Sequence, residues 1–162
     1  MLFAIFKLVI TLSLVFANND CLLDHSNLNG ALDLNSPKVK EKIPGKLVEY
    51  HFVESVVLSS DWKVTFREGG CAHFGMVFTF EKNQFSFPKA KKLRLKFVDR
   101  LLEETPVLDR DVVRIFRKAI KRASSTKEQF ENGILELPCG DAFCQVDVSD
   151  PKVIKLAYDF PL

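Results

Sequence analysis

The feature that most constrains this chain is a hydrophobic period that changes twice along its length. From Lys46 to Leu58, Val48, Tyr50, Phe52, Val56 and Leu58 share one parity. Glu54 is the single exception, and Glu49, His51 and Ser55 take the other parity. After Ser59-Ser60-Asp61, Trp62, Val64 and Phe66 repeat the pattern against Lys63, Thr65 and Arg67. Beyond Gly69-Gly70, Phe74, Met76, Phe78 and Phe80 repeat it again. Alternation of this kind marks half-buried strands. Short polar turns between them make an antiparallel meander the cheapest topology.

The period then lengthens. Leu93, Phe97 and Leu101, flanked by Ala90, Val98 and Leu102, recur at helical steps until Pro106. Asp109 is placed to cap a second helix whose buried stripe is Val112, Phe116, Ala119, Ile120 and Ala123, with Arg114, Arg117, Lys118, Lys121 and Arg122 facing solvent. Ser125-Thr126-Lys127-Glu128 has capping-box spacing for a third, short helix ending at Asn132-Gly133. Alternation returns at Ile134, Leu135 and Leu137, at Val146 and Val148, and from Val153 to Phe160. Strands, helices and strands in separate blocks predict an α+β fold: an antiparallel sheet of about six strands, three N-terminal and three C-terminal. The two or three intervening helices should pack on one of its faces.

The N-terminus sets the compartment. An apolar run broken only by Lys7, Thr11 and Ser13 leads to Val15-Phe16-Ala17 and then to Asn18-Asn19-Asp20. Residues 1–17 read as a signal peptide, too short in its apolar part for a membrane span of roughly 20 residues. Lipid attachment at Cys21 is disfavoured by the polar residues before it. Residues 18–45 are turn-rich and read as an irregular arm, and residues 46–162 as one α+β domain. The expected location is secreted or periplasmic.

Four cysteines, Cys21, Cys71, Cys139 and Cys144, follow the leader. An even count in an exported chain predicts two disulfides. A two-residue turn at Asp141-Ala142 would set Cys139 opposite Cys144, so that pair is expected, leaving Cys21–Cys71 to clip the arm to the third strand. A structural zinc held by Cys71, His73, Cys139 and Cys144 is the competing chemistry, and no metal or cofactor is assigned.

Catalytic signatures are missing from the sequence. Gly69-Gly70 precedes a strand, so it cannot cradle phosphate at a helix N-terminus and reads as a turn or bulge. His51 and His73, with Glu49, share a strand parity and form the candidate polar contact site. Between Lys89 and Arg122 lie twelve basic and five acidic residues, which makes Arg114, Arg117, Lys118, Lys121 and Arg122 a candidate basic surface. Together these features point to a disulfide-braced binding module without catalytic activity. An inhibitor or immunity-type protein acting on a protein partner is one such module. A small envelope hydrolase or ligand binder using His51 and His73 is one alternative. Attachment to anionic lipid or glycan through the basic helices is the other, and no nucleic-acid partner is expected.

Overall fold

A computed structural model of the chain describes residues 30–70, 73–85, 87–88, 90–125 and 131–161. Four strands come first: β1 (Val39–Val48), β2 (His51–Leu58), β3 (Lys63–Gly69) and β4 (His73–Glu81). Two helices follow, α1 (Lys91–Glu104) and α2 (Arg110–Ser125), and then β5 (Ile134–Cys139), β6 (Ala142–Asp147) and β7 (Val153–Pro161). All seven strands join in one antiparallel sheet of order β1-β2-β3-β4-β7-β6-β5. The helical excursion delivers the chain to the far edge at β5. Two hairpins then bring it back, so that β7 pairs with β4 from His73↔Pro161 to Glu81↔Val153.

The fold is α+β with both helices on one face, as the period changes predict, but the sheet has seven strands instead of six. The extra strand arises because Lys46–Leu58 is not continuous. A turn at Glu49-Tyr50, with Glu49 at φ 56°, splits it into the ends of β1 and β2. Residues 39–45, read as part of the arm, form most of β1. The turn contains no Gly, Pro or Asn, so the residues that normally mark a hairpin are absent. Val48 and Tyr50 consequently leave the buried set and are 42% and 37% exposed. The third helix, expected from the Ser125–Glu128 capping box to Asn132-Gly133, falls mainly on residues 126–130, which like the Cys21–Cys71 bridge lie outside the described residues; Ser125 itself ends α2.

One face of the sheet builds the core. Val56, Val64, Phe66, Phe78, Phe80, Val146, Ile154 and Leu156 are fully buried against Leu95, Val98, Leu102, Phe116, Ile120 and Ala123 of the helices. Phe66 and Phe78 are opposite each other across β3 and β4, with ring centroids 5.0 Å apart. Burial of each such side chain stabilises the fold by about 1.5–3 kcal/mol before chain entropy is counted. The α1 stripe is rotated from its predicted position: Leu95 is buried and Leu93 is 55% exposed. Phe97 packs sideways into an aromatic group with Trp62, Phe85 and Phe87. The α2 stripe matches its prediction at Phe116, Ala119, Ile120 and Ala123. Asp109 caps that helix, its Oδ1 accepting from the amides of Asp111 (2.8 Å) and Val112 (3.2 Å).

The exception in β2 has a structural role. Glu54 lies on the core face, 3% exposed, and its Oε1 accepts the Leu32 amide at 2.8 Å. Gly30 sits directly against the same carboxylate, where any side chain would collide. Leu32 bridges to Leu108, and the Asp33 amide donates to the Val107 carbonyl at 2.7 Å. This part of the arm is thus strapped between β2 and the α1–α2 connection. Burial pushes the Glu54 carboxyl above its ordinary range, and the amides of Leu32 and Ala31 pull it part of the way back.

Candidate binding surface

Because the helices occupy one face, the odd-numbered residues of β2, β3, β4, β6 and β7 line the other. The strand registers place Lys46, Val53, Arg67, Val77, Ala157, Gln145 and Glu136 in one row across it, strand by strand. The neighbouring row runs Ile43, Ser55, Thr65, Thr79, Lys155, Asp147 and Ile134. Val53, Thr65, Val77, Thr79, Ala157 and Gln145 are half-buried by their neighbours alone. The Ser55 and Thr65 hydroxyls share a hydrogen bond at 2.9 Å. The face is a mixed apolar and polar plane, and in these two rows its central strands carry two charged side chains, Arg67 and Lys155, both exposed.

At one end of this plane stands Phe143, 71% exposed, the most exposed large apolar side chain among the described residues. It is held by the β5–β6 hairpin. The bridge Cys139–Cys144 forms as expected, but the turn is Gly140-Asp141, one residue earlier than predicted. Cys139 pairs with Ala142 and Leu137 with Cys144, so the disulfide joins diagonal neighbours with α-carbons 5.8 Å apart. Gly140 at φ 79° explains the shift: it supplies the left-handed conformation a two-residue hairpin turn needs. Moving the turn by one residue shifts the cross-strand pairing by two, so the faces are unchanged: Cys144 lies with Leu135 and Leu137 on the core side and Phe143 on the open one. A shallow hollow of about 270 Å³ lies beside it, lined by Glu136, Phe143, Gln145, Ala157 and Asp159 among others. The hairpin segment from Ile134 to Asp147 carries Glu136, Asp141 and Asp147 and no basic residue.

The predicted histidine site is arranged differently from an acid–base pair. His51 opens β2 on the open face, and its Nδ1 accepts a hydrogen bond from the Arg67 guanidinium at 3.0 Å. A guanidinium only donates, so the bond requires an unprotonated Nδ1. Glu49 is exposed in the turn preceding His51. His73 begins β4, with its backbone opposite Pro161. The register places it two strands and two residues from His51, about 12 Å between α-carbons at standard strand spacings. Gly69, at φ 130°, lies against the Tyr50 carbonyl with no room for a side chain, and the Gly70 amide donates to that carbonyl at 3.2 Å. The paired glycines therefore let the end of β3 close under the β1–β2 turn.

Of the predicted basic surface, Lys118, Lys121 and Arg122 are exposed with no ion pair among the described residues, and Arg114 pairs with Asp111 at 3.0 Å. Arg117 departs from the expectation of a solvated side chain. It is half-buried between the helices, donating to Asp99 at 2.7 and 3.3 Å and to Glu103 at 3.4 Å. Those carboxylates, with the hydrogen bonds to them, hold its guanidinium charged.

A larger hollow of about 780 Å³ by the α1–α2 connection is lined partly by Asp33, Glu103, Asp109 and Asp111. Each of these carboxylates already has a structural partner: the Asn35 amide, Arg117, the α2 N-terminus and Arg114 respectively. Among the described residues no three His, Cys, Asp or Glu side chains converge on a point where a metal ion would sit. Glu54 and Phe143 were not legible as special in the sequence. The signals available were ones of parity: the break in alternation at Glu54, and the odd position of Phe143 against Val146 and Val148, which puts its side chain on the face opposite theirs.

Comparison with protein-family models, with curated proteins and with solved structures found no match to this chain.

Proposed function

We propose that this chain is a non-catalytic binding module, exported to an oxidising compartment, that engages a protein partner through the β5–β6 hairpin and the adjoining open sheet face. The observation that carries this reading is Phe143: a large aromatic side chain, 71% exposed, on a hairpin cross-braced by Cys139–Cys144. An aromatic on a rigid support loses little entropy on docking and can fill a pocket in a partner, the usual character of an interface hot spot. Exposed Glu136 and Asp141 flank it, so the complementary partner offers an apolar pocket rimmed by Lys or Arg. An inhibitor or immunity-type protein, occluding a basic cleft of an enzyme, is the form of this reading that suits the surface. The disulfide and the apolar N-terminus support export. A hydrolytic role for His51 is disfavoured, because Arg67 occupies the nitrogen a general base would use.

The test compares wild-type chain with Phe143→Ala and Asp141→Lys for saturable retention of proteins from the extracellular or envelope fraction of its own source. Loss of a central aromatic anchor should weaken the specific complex by roughly thirtyfold or more. A complex equally tight with Phe143→Ala, or the absence of any saturable partner, would sink the reading.

A further inference from the structure

We infer that the outer surface of the α1–α2 pair, at the end away from its connecting turn, is a peripheral docking site for an anionic lipid membrane. This inference stands apart from the hairpin reading, since the helices cover the opposite face of the sheet. The short Thr105–Asp109 connection and the Arg117–Asp99 contact set the two helices antiparallel. Residues before Asp99 and residues after Arg117 therefore share the far end of the pair. Charge is segregated along it. Residues 91–98 and 118–125 contain seven basic side chains and no acid, whereas residues 99–117 contain four basic and five acidic. In the turn half the charges neutralise one another: Arg100 with Glu104, Arg114 with Asp111, and Arg117 with Asp99 and Glu103. In the far half Lys92, Lys96, Lys118, Lys121 and Arg122 are exposed, with no ion pair among the described residues.

A helix face that only needed solvation would have no reason to sort its charges this way. The same half also carries an exposed leucine. At 3.6 residues per turn, Leu93, Lys96 and Arg100 lie within about 60° of one another, opposite the buried stripe of Leu95, Val98, Leu101 and Leu102. Leu93, 55% exposed, thus lies on the outward side of α1 beside Lys96 and Arg100. Next to it the Arg94 guanidinium stacks over half-buried Phe87 at 5.7 Å and donates to the Pro88 carbonyl at 2.6 Å. Lysines attract an anionic surface, and an exposed leucine gains only where an apolar phase lies beneath that surface. A polysaccharide or nucleic acid would reward the lysines but not the leucine, which selects lipid among the polyanions. Docked this way, the chain would hold its open sheet face and Phe143 away from the bilayer.

The experiment is co-sedimentation of the full-length oxidised chain with vesicles of phosphatidylcholine alone or with about one-third phosphatidylglycerol. Residues 1–17 carry Lys7 and can themselves favour anionic lipid, but their contribution is the same in every variant and cancels when variants are compared with wild type. The expected result is retention on anionic vesicles in excess of neutral ones, lost at high salt as the Debye length shrinks. Lys96→Gln, Lys118→Gln and Lys121→Gln together should reduce it by about a hundredfold, at roughly fivefold per charge. Leu93→Ser should reduce it by roughly tenfold. Leu93 is exposed, so that variant should melt like wild type and its loss of binding would be local. Equal retention on both vesicle types, no retention at low salt, or heparin-competed binding indifferent to Leu93→Ser would each overturn the inference, the last by assigning a general polyanion site.

Discussion

The Glu54 strap offers the sharpest test of the physical account of this fold. Truncating Glu54→Ala removes the acceptor of the Leu32 amide, a group held in a 3%-exposed setting behind Leu32, itself 8% exposed. A buried donor left without its partner costs about 1–3 kcal/mol. In a chain of 162 residues that corresponds to a fall in Tm of roughly 2–12 °C, at about 2–4 °C per kcal/mol. The pH dependence adds a sign. Burial raises the folded-state pKa of Glu54 above its unfolded value, so the folded chain binds that proton more tightly. Its contribution is then fully present below about pH 4.3, the ordinary Glu value, and declines as pH rises through the higher folded value. The stability gap between wild type and Glu54→Ala should therefore be wider at pH 4 than at pH 7. Urea titrations at the two pH values measure the gap, and hydrogen exchange at the Leu32 amide reports the strap itself. Glu54→Gln, which keeps an acceptor for that amide, should restore its slow exchange. A gap that vanishes at pH 4 would refute the reasoning, because it would mean that the carboxylate charge, and not the shape and acceptor capacity of the group, holds the arm.

Three further outcomes follow from the same fold. Arg117→Ala breaks three charge-assisted hydrogen bonds between α1 and α2 and should cost about 1–3 kcal/mol by denaturant melting. Arg117→Lys should recover only part of it, since a point charge cannot span Asp99 and Glu103. Replacing Cys139 and Cys144 together by Ala opens a loop of sequence separation 5 and should cost about 2 kcal/mol by the loop-entropy relation, with wild type under reductant showing the same loss. For Asp147, burial pushes the carboxyl up, but hydrogen bonds from the Ser149 hydroxyl and amide and the charge of Lys155 outweigh it and leave it below its ordinary value. Its contribution is present above about pH 3.9, the unfolded Asp value, and is lost as pH falls through the lower folded value. Asp147→Asn should thus destabilise at pH 7 and narrow its gap to wild type near pH 3.

Much of the local structure was legible because period and capping are properties of neighbouring residues. Alternation in β3 and β4 assigned Val64, Phe66, Phe78 and Phe80 to the core, and the helical stripe did the same for Phe116, Ala119, Ile120 and Ala123. Asp109 announced its cap. The misplacements occurred where a local signal was weak or ambiguous. Glu49-Tyr50 turns the chain without a turn residue, and the α1 stripe could be drawn through Leu93 or through Leu95. In the second hairpin either Gly140-Asp141 or Asp141-Ala142 could close the turn, a choice that shifts the cross-strand partners by two residues and leaves Phe143 on the open face either way.

What the sequence determined by itself was the class of fold, the faces of the alternating residues in β3, β4 and β6, and the stock of basic helical residues and cysteines. Which surfaces stay uncovered was decided only by the tertiary structure, because that depends on which elements pair across long separations. The pairing of β7 with β4 put both meanders into one sheet and sent both helices to a single side. That arrangement leaves the plane around Phe143 open, draws Arg117 inward to clasp α1, and leaves Leu93 outward among lysines. Side-chain chemistry is local, but exposure is settled by what packs alongside, and that is why the candidate surfaces emerged from the fold and not from any motif.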